Sequence, residues 1–238
     1  MNPTPPQFER AEILFGGAGL ERLAGSHVFL AGLGGVGSWC AEALVRNGIG
    51  RLTLVDADAV DVTNINRQLP ALHTTVGQPK VEVLGARFAD ISPGARIDVH
   101  RCRFNPETAG AFELATYDAV VDAIDSVDDK VLLIETALAA PVPLFSSMGA
   151  ACRLDASRIR TGMFWKAEGC PLARSVRQKL RQHNVTADFP CVFSSEAATR
   201  PDPSVNGSAV HVTGTFGFLL AGLVVQHLLS PSGRSGRF

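Results

Sequence analysis

The stretch Ala31 to Trp39, Ala-Gly-Leu-Gly-Gly-Val-Gly-Ser-Trp, constrains this chain more than any other. It lies between an apolar run, His27 to Leu30, and a helix-like segment that ends near Asn47. Glycines at 32, 34, 35 and 37 let the backbone turn tightly and approach a phosphate group, while the following helix N-terminus turns unpaired amides towards negative charge. The same G-x-G-x-x-G spacing serves NAD, FAD and ATP, so the loop points to a nucleotide without choosing one. Leu52 to Val55 reads as a second buried strand ending on Asp56, roughly 20 residues beyond the loop, where a ribose-binding carboxylate belongs. The first unit is therefore β-α-β, with an ordinary strand-end carboxylate as the alternative reading of Asp56.

The nucleotide is decided further on. From Asp56 the chain runs through Asp58, Asp61, Asn64, Asn66, Arg67 and Gln68, and then reaches Lys80. A nicotinamide site has no need of this assembly. A triphosphate does, because charge developing on phosphoryl oxygens during displacement must be met by fixed cations and hydrogen-bond donors. Arg67 offers a planar fork, Lys80 a compact point charge, and Asn64 and Asn66 neutral donors. Asp118 to Ile124 is another apolar run flanked by acids, and Asp125 follows it. In an open parallel sheet, ligands sit beyond the carboxyl ends of the strands, so Asp125 is placed to hold magnesium, which prefers one or two carboxylates plus phosphate oxygens. The competing reading makes Asp125 the N-cap of a helix starting near Ser126.

In order and spacing, G-x-G-G-x-G, Asp-x-Asp, Asn-x-Asn-Arg-Gln, the segment Thr75 to Lys80 and Asp-Ala-Ile-Asp resemble the ThiF-type family of ubiquitin-activating-like adenylating enzymes. Leu14-Phe15-Gly16, Asn64 to Val76, Cys191 to Glu196, and Gly207 to Val210 with Thr213 to Phe218 are most similar to the members that act on tRNA, and the likeness runs from about Arg10 to Leu229. The resemblance implies adenylation of a carboxylate by ATP, followed by attack on the activated acyl group. In those members the carboxylate belongs to a threonylcarbamoyl group on a tRNA adenosine. The attack comes from within the modification, which cyclises with release of AMP and pyrophosphate. The alternative is activation of the C-terminus of a ubiquitin-like sulfur-carrier protein.

The same resemblance places Gly32, Gly34, Gly35 and Gly37 around the phosphates and Asp56 on the ribose. It puts Asn64, Arg67 and Lys80 on the triphosphate, Gln68 among the nucleotide-binding residues, Asp125 on Mg2+, and Asp58 in the catalytic pocket. Arg10 sits where the family sends an arginine across a homodimer interface into the partner's site; a solvated surface arginine is the other reading. An earlier arginine of the family pattern is Gln7 here. A monovalent cation, K+ or Na+, is a further cofactor to look for, and a sulfur-transfer protein a further partner.

Many relatives that act on sulfur carriers hold structural zinc with two C-x-x-C pairs. Cys40, Cys102, Cys152, Cys170 and Cys191 form no such pair, so no structural zinc is expected. Cys191, followed by Val192 and Phe193, reads better as a small buried hydrophobe than as a nucleophile. An odd cysteine count and acidic residues near the N-terminus point to a reducing, cytoplasmic setting rather than secretion. The longest apolar run, Phe216 to Val225, falls short of the about 20 residues a bilayer requires and reads as a buried helix, so no membrane insertion is expected.

The fold expected is α/β: a Rossmann-like, doubly wound, mainly parallel sheet with a small C-terminal α+β extension. A nucleotide-binding part spans 1–150, and a substrate-facing extension with a closing helix on the same core spans 151–238. Strands are expected near 27–32, 51–56, 96–102, 118–124 and 143–147, with helices near 35–47, 76–91, 105–115 and 126–140. Beyond Gly149 come strands at 151–155 and 158–164, a helix at 170–183, a polar loop at 199–207 and a helix at 214–229. Met1 to Pro6 and Ser230 to Phe238 read as disordered. The 170–183 helix lines up Leu172, Val176 and Leu180 on one face. Arg174, Arg177, Lys179 and Arg181 fall largely on the others, facing either tRNA or simply solvent. A net charge of −1 gives nucleic-acid binding no independent support.

Overall fold

The computed structural model describes residues 4–199 and 206–230. Its strands are β1 (His27–Ala31), β2 (Arg51–Val55), β3 (Arg96–His100), β4 (Ala119–Asp122), β5 (Leu144–Ser147), β6 (Ile159–Met163) and β7 (Pro190–Ser194). They form one sheet in the order β3-β2-β1-β4-β5-β7-β6. Every neighbouring pair is parallel except β6 and β7. The chain winds outward from β1 through β2 to β3, then crosses back to β4 on the other side of β1, which makes this a Rossmann-like doubly wound α/β fold.

Alternating side chains of the central strands feed two cores, as a pleat of period two requires. Val28, Leu30, Leu52, Leu54, Val121 and Val192 face α3 (Gly37–Arg46), α4 (Lys80–Ile91) and α7 (Val210–Leu229). Phe29, Ala31, Val55, Val120 and Cys191 face α5 (Val127–Ala139) and α6 (Pro171–Gln182). The residues beyond Gly149 add β6 and β7 to the same sheet and α7 to the first core.

Several boundaries differ from expectation. No helix occupies 105–115: the Thr108 hydroxyl bonds back to Asn105, local bonding that competes with a helix, and Gly110 follows. Two short 3-10 turns, Ala109–Ala111 and Leu114–Thr116, stand there instead. Residues 151–155 form no strand, because Cys152 takes a left-handed φ of 62° and breaks the extended run. The strand that lies beside β5 is β7, built from Cys191-Val192-Phe193, with Pro190 at its first position, where a missing amide is tolerated. Two N-terminal helices were not foreseen, α1 (Glu9–Phe15) and α2 (Gly17–Gly25), separated at Gly16 with φ 72°. α4 starts at Lys80 rather than 76, since Gly77 has φ 86° and Pro79 biases the residue before it away from helix.

α7 starts at Val210, four residues before the expected 214. Pro6, expected within a disordered terminus, opens a 3-10 turn, Pro6–Phe8. The rest of the disorder expected at 1–3 and 231–238, and most of the 199–207 loop, lie outside the described residues. With 20 residues and a mean hydropathy of 1.6, α7 is long and apolar enough to cross a membrane by length and composition. Here it packs on α3 and the sheet, where the backbone at Gly217 leaves a Cβ only 2.6 Å from the Val36 carbonyl oxygen.

His27, at the entry of β1, sets a pH dependence. Burial, and then the neighbouring Arg51 guanidinium, hold its imidazole down at about 4, although Asp98 and Asp118 pull the other way. Between pH 6.5 and 4 the unfolded chain takes up this proton and the folded chain does not, so stability falls as pH falls through that window. His27→Gln should shrink the drop in urea midpoint between pH 7 and pH 4.5 relative to wild type; equal drops would contradict this reading.

Candidate active site

The sheet changes winding direction between β1 and β4, and beyond the carboxyl ends of these strands opens a cleft of about 870 Å³. The glycine-rich turn forms its floor. Gly32 has φ 91°, and a Cβ there would lie 2.5 Å from the Ala123 carbonyl oxygen at the end of β4. A Cβ on Gly37 would come within 1.8 Å of the Gly32 carbonyl oxygen, so the first turn of α3 sits directly on the loop. No side chain caps the α3 N-terminus. The Ser38 amide is taken by the Gly34 carbonyl, and the turn that leads into α3, Gly34 to Val36, lines the cleft.

Asp56, just past β2, binds the turn rather than solvent. Its carboxylate accepts from the Leu33 amide at 2.6 Å and from the Asp58 amide at 2.8 Å. Burial raises its pKa, against the opposing pull of Lys80 and these two amides. Lys80, the first residue of α4, has a side chain only 5% exposed, and its ammonium donates to Asp58 at 2.8 Å. The Asp58 side chain is 63% exposed. The cation is therefore desolvated while its partner is not, and an anion entering the cleft can compete for it.

Asn64 accepts from the Asp61 amide in a capping box that shapes the loop. Arg67 donates to the Thr63 carbonyl at 2.8 Å and to Asn66 Oδ1 at 2.9 Å through one terminal nitrogen. Its own carbonyl accepts from the Trp39 indole at 3.0 Å. Gln68 is buried, and its side-chain oxygen has no hydrogen-bond partner among the described residues. A buried unsatisfied acceptor on a cleft wall marks a place for a ligand donor or water.

On the opposite wall, Asp125 is exposed and makes no ion pair among the described residues. It does not cap α5; that position is Ser126. Beneath it lies a wholly buried ion pair that sequence reasoning missed. Lys130 donates to Asp122 at 2.7 Å and to the Ile124 carbonyl at 2.8 Å, and Asp122 accepts from the Ser146 hydroxyl and from the Ile124 amide. This network clamps the 123–126 turn that carries Asp125. The signal was a lysine in register with Val131, Ile134 and Ala137 on the core face of α5, a position that demands a buried carboxylate.

Arg153 was also missed. Buried, it donates to the carbonyls of Gly149, Gly169 and Glu196, tying three segments together at the far rim. Spacing alone carries no trace of these three partners. Among the described residues the cleft presents five carboxylates, Asp56, Asp58, Asp61, Asp125 and Asp129, against four cationic side chains.

Gly32, Gly34, Gly35, Asp56, Asp58, Asn64, Arg67, Gln68, Lys80 and Asp125 thus meet in one cleft. Gly37 supports it from behind. Arg10 lies exposed on α1, outside the cleft of its own chain. On α6, Arg174 is exposed, Arg177 donates to the Phe164 and Ala167 carbonyls, Lys179 pairs with Asp128, and Arg181 lies 5.4 Å over the Trp165 ring. Cys191 is fully buried, and burial pushes its thiol up to about 12, which disfavours a nucleophilic thiolate.

Fold and cleft together define a nucleotide-binding α/β protein. The chain belongs to the ThiF family, whose profile matches residues 8–235. It is similar to a tRNA threonylcarbamoyladenosine dehydratase of Bacillus subtilis, 44% identical over 191 residues that cover 80% of this chain and 75% of the relative. The Escherichia coli enzyme of the same name is 34% identical over 255 residues, covering 94% of this chain and 93% of the relative. A crystal structure of that Escherichia coli dehydratase in complex with ATP superposes with a TM-score of 0.91 at 36% identity, covering 97% of this chain and 96% of the other.

The buried pair gives a direct test of what holds the Asp125 wall. Lys130→Met strands the Asp122 carboxylate without its cation and should cost about 3–5 kcal/mol in urea denaturation. The double variant Asp122→Asn, Lys130→Met should recover most of that loss. An unchanged midpoint in the single variant would show that the pair holds nothing.

Proposed function

We propose that this chain catalyses the ATP-dependent dehydration of threonylcarbamoyladenosine in tRNA. The observation that carries the reading is the desolvated Lys80 ammonium, in the same cleft as Arg67, the Gly34 to Val36 turn that leads into α3, and Asp125, which makes no ion pair among the described residues. The names and closeness of the relatives support the choice of substrate. In the first step a carboxylate oxygen of the threonylcarbamoyl group bonds to the α-phosphorus of ATP, and the bond to pyrophosphate breaks. Lys80 and Arg67 neutralise charge on the phosphate oxygens, and Gly34 and Gly35 let the backbone approach them. In the second step a nucleophilic atom of the same modification attacks the acyl carbon. AMP leaves with the former carboxylate oxygen, and the net change in the nucleoside is loss of one water.

Asp56 is assigned to the ribose, Gln68 and Asn64 to the nucleotide, and Asp58 to the catalytic pocket as the group that releases Lys80 when phosphate arrives. Mg2+ fits the residues present: the cleft's cations do not outnumber its carboxylates, so a triphosphate entering it needs added positive charge. Asp125 would hold the ion, which when bound neutralises phosphate oxygens. A homodimer accounts for α1, where Ile13 and Leu14 are exposed beside Arg10, leaving that arginine free to enter a partner's cleft. A tRNA substrate accords with a cytoplasmic location.

Incubation with ATP, magnesium and threonylcarbamoylated tRNA should release AMP and convert the nucleoside to a product lighter by one water. Arg67→Ala and Lys80→Met should each lower AMP release on the order of 100-fold or more, as loss of a transition-state donor does. Undiminished release in both variants would refute the site assignment.

A further inference from the structure

A second, smaller hollow of about 360 Å³ lies away from the cleft, lined by Trp165, Arg181, Asn184, Val185 and Thr186. Resting on the tRNA reading above, we propose that this hollow takes an unpaired nucleobase of the RNA substrate, distinct from the adenosine being modified, and stacks it on Trp165 and Arg181.

The aromatic platform is rigidly built. The Trp165 indole donates to the Ala187 carbonyl at 3.0 Å, and its backbone amide to Asp188 at 3.2 Å. Behind it the buried Phe164 ring meets Trp165 edge to face at 5.3 Å and stacks on Phe189 at 4.7 Å. The ring is thus fixed before any ligand arrives, and the residue stays partly accessible. The Arg181 guanidinium, 5.4 Å from the ring centre, adds a second planar, charged surface at the same opening. Single-stranded RNA is held by such pairs, because every base has a π-face and its phosphates favour cations. Asn184, exposed and with φ 60°, and Thr186 supply hydrogen-bonding groups at the rim.

Position favours RNA as well. The start of α6 lines the main cleft through Pro171, Leu172 and Ser175, and its last turn carries Arg181 to the hollow. From Pro171 to Arg181, which lie within about a quarter turn of each other, a helix rises about 15 Å at 1.5 Å per residue. At the 3.4 Å rise of a helical strand, that is about four stacked nucleotides. The exposed Arg174 stands between the two sites, and the exposed Lys166 follows Trp165 directly. A strand whose target base enters the cleft can therefore follow α6 and set a neighbouring base on Trp165.

The test measures affinity for intact tRNA by fluorescence anisotropy, alongside ATP affinity and steady-state turnover. Trp165→Ala should weaken tRNA binding on the order of tenfold, the effect of losing one base stack, while Trp165→Phe keeps most of the affinity. Arg181→Gln should weaken binding and lower its salt dependence by about one ion. In Trp165→Ala the KM for tRNA should rise with kcat and ATP affinity unchanged, a split that general destabilisation would not produce. Equal tRNA affinity in wild type and Trp165→Ala overturns the inference, and so does an affinity that survives Trp165→Ala but falls with Arg174 alone, which would leave plain charge as the cause. If tRNA binding depends on Trp165 but no AMP forms, the hollow stands and the proposed reaction falls.

Discussion

Three backbone segments meet where neither Gly32 nor Gly37 has room for a Cβ. The end of β1, the start of α3 and the end of β4 converge on Gly32 and Gly37, with distances of 2.5 and 1.8 Å between the missing Cβ positions and neighbouring carbonyl oxygens. Such spacing cannot be relieved by rotating a side chain, because the opposing atoms are backbone. It fixes the start of α3 beside the crevice between β1 and β4. Asp56 completes the constraint by gripping the loop through the Leu33 amide.

Buried polar groups then hold the walls. The Lys130–Asp122 pair is wholly enclosed and more fully bonded than a lone ion pair, with Ser146 and the Ile124 backbone meeting the remaining lone pairs and donors. A hydrophobic pair of similar volume would stabilise the core at least as well. What the ions add is direction, since each also bonds the Ile124 backbone in the turn carrying Asp125. Arg153 does the same at the far rim using carbonyls alone. The Lys80–Asp58 pair is of another kind: one partner is buried and the other faces solvent, so exchanging the carboxylate for a phosphate costs little rearrangement.

Much of this was legible in the sequence. Gly32, Gly34, Gly35, Asp56, Asn64, Arg67, Lys80 and Asp125 belong to local patterns legible in residue type and spacing and all line one cleft, whereas Asn66, read as a phosphate donor, bonds the Ser208 carbonyl and Arg67 instead. The five-strand parallel core was legible too: four strands are buried and read as apolar runs, and β3, Arg96–His100, alternates polar and apolar residues. What escaped depended on distant partners. β7 is short and apolar, and only its place beside β5 makes it a strand of this sheet. Lys130 sits on the core face of α5, but its partner Asp122 is known only once α5 is set against β4. Of the α6 cations, Arg177 and Lys179 turn out to be engaged within the protein, which a helical wheel cannot reveal.

The account stands on Lys80 exchanging Asp58 for phosphate when nucleotide binds. The most direct measurement is a crystal structure of this protein with magnesium and a non-hydrolysable ATP analogue. The Lys80 ammonium and at least one Arg67 nitrogen should lie within about 3 Å of phosphate oxygens, with the phosphates over Gly34 and Gly35. A bound nucleotide with Lys80 still on Asp58 and the Arg67 guanidinium turned away would contradict it.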